Sequence, residues 1–222
     1  MNQSPDPATF SARRKPVSKP WYRSRGWWLK QLHGWHWMTA AISLIGMLLF
    51  AATGITLNHA ASISAAPDVR EMKGQLPRPL LSQLTSAAPE TAPLPAPVVA
   101  DLKQRVGLDA AGKAGEWSDS EVYVALPRPG GDAWVSIDRQ SGAIRAEVTR
   151  RGWISYANDL HKGRNTGGAW SWFIDLFAIA CILFTLTGLV LLYMHSKPRP
   201  LTWPLVGLGL IAPLMIALFF LH

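Results

Sequence analysis

No Asp, Glu, Lys or Arg occurs between Lys30 and Asp68, and Trp35 to Leu57 inside that gap is an apolar run of 23 residues. A second run, about Ala169 to Met194, holds one charge, Asp175; a third, Pro200 to His222, holds none. A helix needs about 20 apolar residues to cross a hydrocarbon core about 30 Å thick. In lipid only a helix or a closed barrel satisfies its own backbone. The runs are too long for ordinary core helices or for interfacial amphipathic helices. They predict an integral membrane α-helical protein with three transmembrane helices. A signal-peptide apolar region spans about 7–15 residues, so the first span reads as a retained signal-anchor. Pro204 falls in the first turn of the third span, where it is harmless; Pro213 is expected to kink it.

Charge sets the orientation. Arg13, Arg14, Lys15, Lys19, Arg23, Arg25 and Lys30 precede the first span against one acid, Asp6. Lys197 and Arg199 separate spans two and three. Residues 60–169 carry 13 basic and 12 acidic side chains and are nearly neutral. The positive-inside rule then predicts N-in/C-out, with 60–169 outside. Trp27, Trp28, Trp35, Trp37, Tyr193 and Trp203 would form the inner aromatic belt, and Trp170 and Trp172 mark the outer one. The net charge of +8 is concentrated beside the spans, so no nucleic-acid partner is expected. Cys181 is the single cysteine, which excludes a disulfide framework and a Cys-based zinc or iron–sulfur site.

Between spans one and two, residues 83–97 are Pro/Ala-rich and read as an extended linker. Val98 to Val106 reads as a short amphipathic helix ended near Gly107. Glu121 to Leu126 and Ala133 to Ile137 alternate as strands. Asp138 to Gly142 is a turn, with Gly142 supplying positive φ, and Ala143 to Val148 is the return strand. This small α+β module has no His and no Cys. No catalytic triad or phosphate loop can be assembled from it, and binding or scaffolding is its expected role.

The order helix, strand, then Val135-Ser136-Ile137-Asp138-Arg139-Gln140-Ser141-Gly142-Ala143-Ile144 resembles a PepSY domain with its Asp-x-x-(Ser/Thr)-Gly hairpin. The flanking spans resemble the PepSY-associated transmembrane family. Gln31-Leu32-His33-Gly34-Trp35-His36-Trp37 and Gly54-Ile55-Thr56-Leu57-Asn58-His59 bound span one. Asn158-Asp159-Leu160-His161-Lys162-Gly163-Arg164 precedes span two, which contains Asp175 and Thr187-Gly188-Leu189; Arg199 to Leu205 opens span three. Larger members of that family are inner-membrane ferric-siderophore reductases that bind b-type haem through transmembrane histidines. This chain differs from them in having three spans and one such module.

The expected organisation is a basic cytoplasmic segment (1–30), span one (31–59), a periplasmic linker (60–97), the PepSY-like module (98–150), a periplasmic pre-helix segment (151–168), span two (169–195), a cytoplasmic turn (196–200) and span three (201–222).

All six histidines fall at span ends. His33, His36 and His195 are expected inside; His59, His161 and His222 outside. A b-type haem takes two neutral imidazoles from opposite faces of the porphyrin, which antiparallel helices with histidines at matching depth provide. The inner candidates are His33 or His36 with His195. The outer pair is His59 with His161, with His222 as a substitute. Helix ends also suit histidine for its amphipathic ring alone. Arg164 and Lys162 suit haem propionates or are simple interface cations. Asp175, the one intramembrane acid, either orients a ligand, takes part in proton transfer or lies shallow and hydrated. The resemblance implies one or two haem b groups in a ferric-siderophore reductase or electron-transfer subunit of the bacterial inner membrane. No GxGxxG stands between a strand and a helix, so the donor would be quinol, a soluble reductant or a partner subunit. A ferric siderophore or a periplasmic protein is the expected partner beside the lipid bilayer, and a homo-oligomer is compatible. The alternative is a non-enzymatic, membrane-anchored module that regulates another envelope protein.

Overall fold

The computed structural model describes residues 24–63, 66–85 and 89–221. Most of the basic segment 1–30, and His222, lie outside the described residues. In chain order the elements are α1 (Arg25–Asn58), β1 (Asp68–Gln75), α2 (Arg78–Leu81), β2 (Thr91–Pro93), α3 (Ala96–Val106), β3 (Ala114–Trp117), β4 (Glu121–Ala125), β5 (Gly131–Asp138), β6 (Ala143–Arg150), α4 (Gly152–Lys162), α5 (Gly168–His195) and α6 (Thr202–Phe220). Among the described residues α1, α5 and α6 are long and apolar enough to cross a bilayer. Their hydroxyls are satisfied locally. Thr39, Thr53 and Thr187 each donate to the carbonyl four residues earlier, at 2.8, 2.8 and 2.7 Å, so none is left as an unpaired donor in an apolar span. Pro213 lies inside α6, which continues through it.

The strands form one antiparallel sheet in the order β1-β6-β5-β4-β3-β2. β1 and β2 are its edges. Alternation puts Val122 and Val124 of β4 and Ile144 and Ala146 of β6 on the buried face. The helix α3 lays Val98, Leu102 and Val106, spaced by four, against that face. Burial of a side chain such as Leu102 stabilises the fold by about 1.5–3 kcal/mol. The helix ends where expected, at Gly107, whose φ is 69°.

The β5–β6 turn is held by one carboxylate. Asp138 Oδ1 accepts from the backbone N–H of Ser141 (2.7 Å) and Gln140 (3.0 Å) and from the Ser141 hydroxyl (2.9 Å). These bonds, the Ser141 backbone N–H foremost, hold the Asp138 carboxyl below its ordinary value. Gly142 closes the loop at φ 74°.

Two expectations require correction. The stretch 60–97, expected to be a linker and extended over 83–97, contributes β1, α2 and β2, and buries Leu76, Leu84 and Leu94. Isolated leucines among prolines carry no periodicity, and side chains from the sheet fix this stretch instead. Arg139 Nε donates to Leu84 O at 2.8 Å and Trp117 Nε1 to Ala92 O at 2.8 Å. The sheet therefore has six strands rather than two or three. The segment 151–168 contains the helix α4, ended by Gly163 at φ 66°. The chain divides into two compact units, residues 1–41 with 182–222, and residues 42–181.

Candidate functional site

Within the first unit, His33 in the third turn of α1 faces His195, the last residue of α5. Their ring centroids are 6.0 Å apart and their planes cross at 80°. Each Nδ1 lies 2.8 Å from the carbonyl four residues earlier, Leu29 O and Leu191 O respectively. A carbonyl only accepts, so Nδ1 carries the hydrogen and Nε2 of the neutral ring keeps its lone pair. His36 turns to the side of α5 instead. Its Nδ1 stands 3.1 Å from Thr187 Oγ1 and 3.2 Å from Phe184 O. The Thr187 hydroxyl hydrogen is directed to its own helix, at Leu183 O or Phe184 O, so its oxygen is the acceptor. The imidazole stacks on Phe184 with centroids 4.7 Å apart. A Cβ on Gly188 would stand 3.0 Å from His36 Cε1, so the glycine makes the room.

The second unit repeats this arrangement. His161, in the last turn of α4, donates from Nδ1 to Thr53 Oγ1 at 2.6 Å. The Thr53 hydroxyl donates to Leu49 O or Phe50 O. The ring lies 4.7 Å from Phe50, and a Cβ on Gly54 would stand 3.8 Å from its Cε1. Both cradles are Phe-x-x-Thr-Gly: Phe50 to Gly54 on α1, and Phe184 to Gly188 on α5. Positions i, i+3 and i+4 share one helix face, so ring, hydroxyl and gap meet one imidazole together.

Four hydrogen bonds position His161 by fixing α4. Thr56 Oγ1 donates to the buried Asn158 Oδ1 at 2.6 Å. Trp170 Nε1 donates to Leu160 O at 2.8 Å, Gly130 N–H to Asp159 Oδ2 at 2.8 Å, and Arg164 N–H to Asp159 O at 2.9 Å. His59, just past α1, is exposed, with Nδ1 3.0 Å from Ile55 O.

The structure thus brings His33 to His195. It sets His36 and His161 against a threonine, a phenylalanine and a glycine each. Among the described residues no contact joins His59 to His161, which meets α1 at Phe50, Thr53 and Gly54. Arg164 and Lys162 are exposed and form no ion pair among the described residues; Asp175 lies on the exposed surface of α5. All five described histidines present Nδ1 to an acceptor, which leaves Nε2 as the available lone pair. An Nδ1–H held in this way fixes the orientation of the ring and its tautomer. No group of three or more His, Cys, Asp or Glu converges among the described residues. His33 and His195 offer two neutral imidazole nitrogens, the donor type that a porphyrin iron takes.

The roles of Thr53 and Thr187 as acceptors, and of Phe50 and Phe184 as stacking partners, are not evident from span composition. The signal available was the repeated Phe-x-x-Thr-Gly, one copy on each of two spans.

Three apolar spans, a six-stranded sheet inserted after the first, and histidines cradled on the first two define a multi-span protein with a domain carried between its helices. The chain matches the family model described as PepSY_TM-like over residues 27–222, and it belongs to that family. It matches no curated protein and no solved structure.

Proposed function

We propose that this chain is a b-haem electron-transfer protein of the bacterial inner membrane, oriented N-in/C-out with its sheet domain in the periplasm, and that it serves reduction of ferric complexes such as siderophores. The observation that carries this reading is the His33–His195 pair, imidazoles from two spans 6.0 Å apart with Nε2 free on each. Two nitrogen–metal bonds of about 2 Å each, plus the ring radii, give a separation of that size.

When bound, haem would supply a one-electron couple. His33 and His195 would hold it through Nε2. Their Nδ1–H bonds to Leu29 O and Leu191 O fix ring orientation and raise ligand basicity. His36 stands three residues from His33, and its Nδ1–H stays on the Thr187 and Phe184 oxygens. His161 is the anchor of a second site on the outer side, with His59 as its candidate partner and Arg164 as a propionate cation. Electrons would enter from quinol or a partner subunit.

The test is the absorption spectrum and pyridine haemochrome of detergent-purified protein. The reading expects a Soret band that His33→Ala and His195→Ala each diminish. Colourless protein from haem-replete cells would refute it. It would favour the second reading, a regulatory module built on the sheet, whose core is its own.

A further inference from the structure

A cleft of about 590 Å³ opens where α3 stops short of covering the sheet. We propose that it is a binding site for an anion that presents phosphate or carboxylate groups. Among the described residues four arginines line it, Arg70, Arg105, Arg128 and Arg150, with one acid, Asp68. The register explains their convergence. In β1, Arg70 stands opposite Val148 of β6, and Asp68 opposite Arg150. Val148 is buried against the core. Alternation along the strands therefore puts Arg70 and Arg150 on the buried face, at the end that α3 leaves open. Arg105 comes from the last turn of α3 and Arg128 from the β4–β5 connection.

Of these four, Arg105 alone has an ion-pair partner among the described residues, Asp101 at 2.6 Å. Among the described residues Arg70, Arg128 and Arg150 form neither a side-chain hydrogen bond nor an ion pair. Like charges gathered without partners repel, so folding gains nothing from this clustering. The surrounding segment is nearly neutral, so the cluster is not a background of basic charge. All four cations are arginine, whose planar fork matches a phosphate or carboxylate with two parallel hydrogen bonds. Val106, Leu108 and Val148 give the cleft an apolar floor, which suits a ligand with an apolar body. Its volume falls within the roughly 300–1,000 Å³ of small-molecule sites.

The site shares no residue with the histidines and does not depend on haem. Two sources supply the same chemistry: a free organic anion, and the headgroup of an anionic lipid. The second is in reach because Arg150 stands two residues before α4 and Asp68 ten after the end of α1.

Isothermal titration of full-length protein in neutral detergent separates them. The probes are citrate, pyrophosphate, and dihexanoyl phosphatidylglycerol with its phosphatidylcholine counterpart. Binding of citrate or pyrophosphate supports a soluble ligand; binding of phosphatidylglycerol alone supports a lipid. In either case Arg70→Gln/Arg150→Gln should weaken Kd about tenfold or more, because each lost bond is charge-assisted. Added salt should weaken it too, and Asp68→Asn should tighten it. Arg145→Gln, alternating to the opposite face of β6, removes the same charge and should leave Kd unchanged. Absence of binding by every anionic probe, equal binding of phosphatidylcholine and phosphatidylglycerol, or unchanged binding in the double variant with its thermal midpoint retained would overturn the proposal.

Discussion

A methyl group added at Gly46 has no space to occupy. A Cβ built there overlaps Phe177 Cε2 and stands 2.9 Å from Cζ and 3.0 Å from Cδ2. Carbon atoms in contact settle at about 3.5–4.0 Å, so the ring must retreat by about 1 Å or more. Phe177 is not free to do so cheaply, since it stacks on Phe50 at 5.1 Å and lies 6.2 Å from Phe173. Overpacking of this kind costs about 1–3 kcal/mol. Alanine also gains about 0.8–1.0 kcal/mol in helix propensity, which partly masks the cost. Gly54, eight residues further along the same helix, supplies the internal standard. Its added Cβ meets His161 Cε1 at 3.8 Å, an ordinary contact, so Gly54→Ala keeps the propensity gain without the clash. The difference between the two variants then isolates packing, with Gly46→Ala about 1–3 kcal/mol the less stable. Reversible unfolding of the full chain in mixed micelles, followed by circular dichroism, measures it. Adding Phe177→Leu should abolish most of the difference. Equal stability of the two single variants, or a difference indifferent to Phe177→Leu, would refute the contact.

Thr53→Val removes the acceptor of His161, and Thr187→Val removes one of the two offered to His36, while side-chain shape is kept. Each should cost about 1 kcal/mol in the same unfolding assay, and Ser at either position should restore most of it. Asp138, held below the ordinary carboxylate pKa of about 3.9, stabilises the fold above that value, and its contribution is lost as pH falls through the lower folded value; urea unfolding of the full chain should show the gap between parent and Asp138→Ala closing on acidification, and a constant gap would contradict the turn's role. Reporter fusions after Leu57 should read external and at Lys197 cytoplasmic, and the reverse would invert the proposed faces of all the histidines.

The spans are legible because a stretch without charge has one use at that length. The strands β4 to β6 are legible because apolar residues recur at every second position, Val122 and Val124, Val135 and Ile137, Ile144 and Ala146, and Asp138 to Gly142 marks the turn between the last two. β1 was not, because an edge strand of sequence Asp-Val-Arg-Glu-Met-Lys-Gly-Gln buries no continuous side and leaves Val69 half exposed. Nor was α4, whose N-cap, Arg151, makes no side-chain capping bond and so gives no start signal. The histidines are readable as candidates from their places near the ends of apolar runs, although the structure puts His161 on α4 rather than on a span. Their partners are not, because Thr53 lies 108 residues from His161 and Thr187 lies 151 from His36. Pairings at that separation are set by how helices pack, and local composition does not encode them.

The two edges of the sheet are closed to other chains by different means. β1 carries Asp68, Arg70, Glu71 and Lys73 within eight residues, so a second strand laid beside it would press charge on charge. β2 is three residues long and ends in Pro93, with Pro95 just beyond, and proline has no N–H to offer a neighbour. Short edges, charge and proline are the devices by which sheet proteins avoid templating aggregates. A domain tethered to a membrane is crowded against copies of itself, and here neither margin of the sheet is a ready place for them to add a strand.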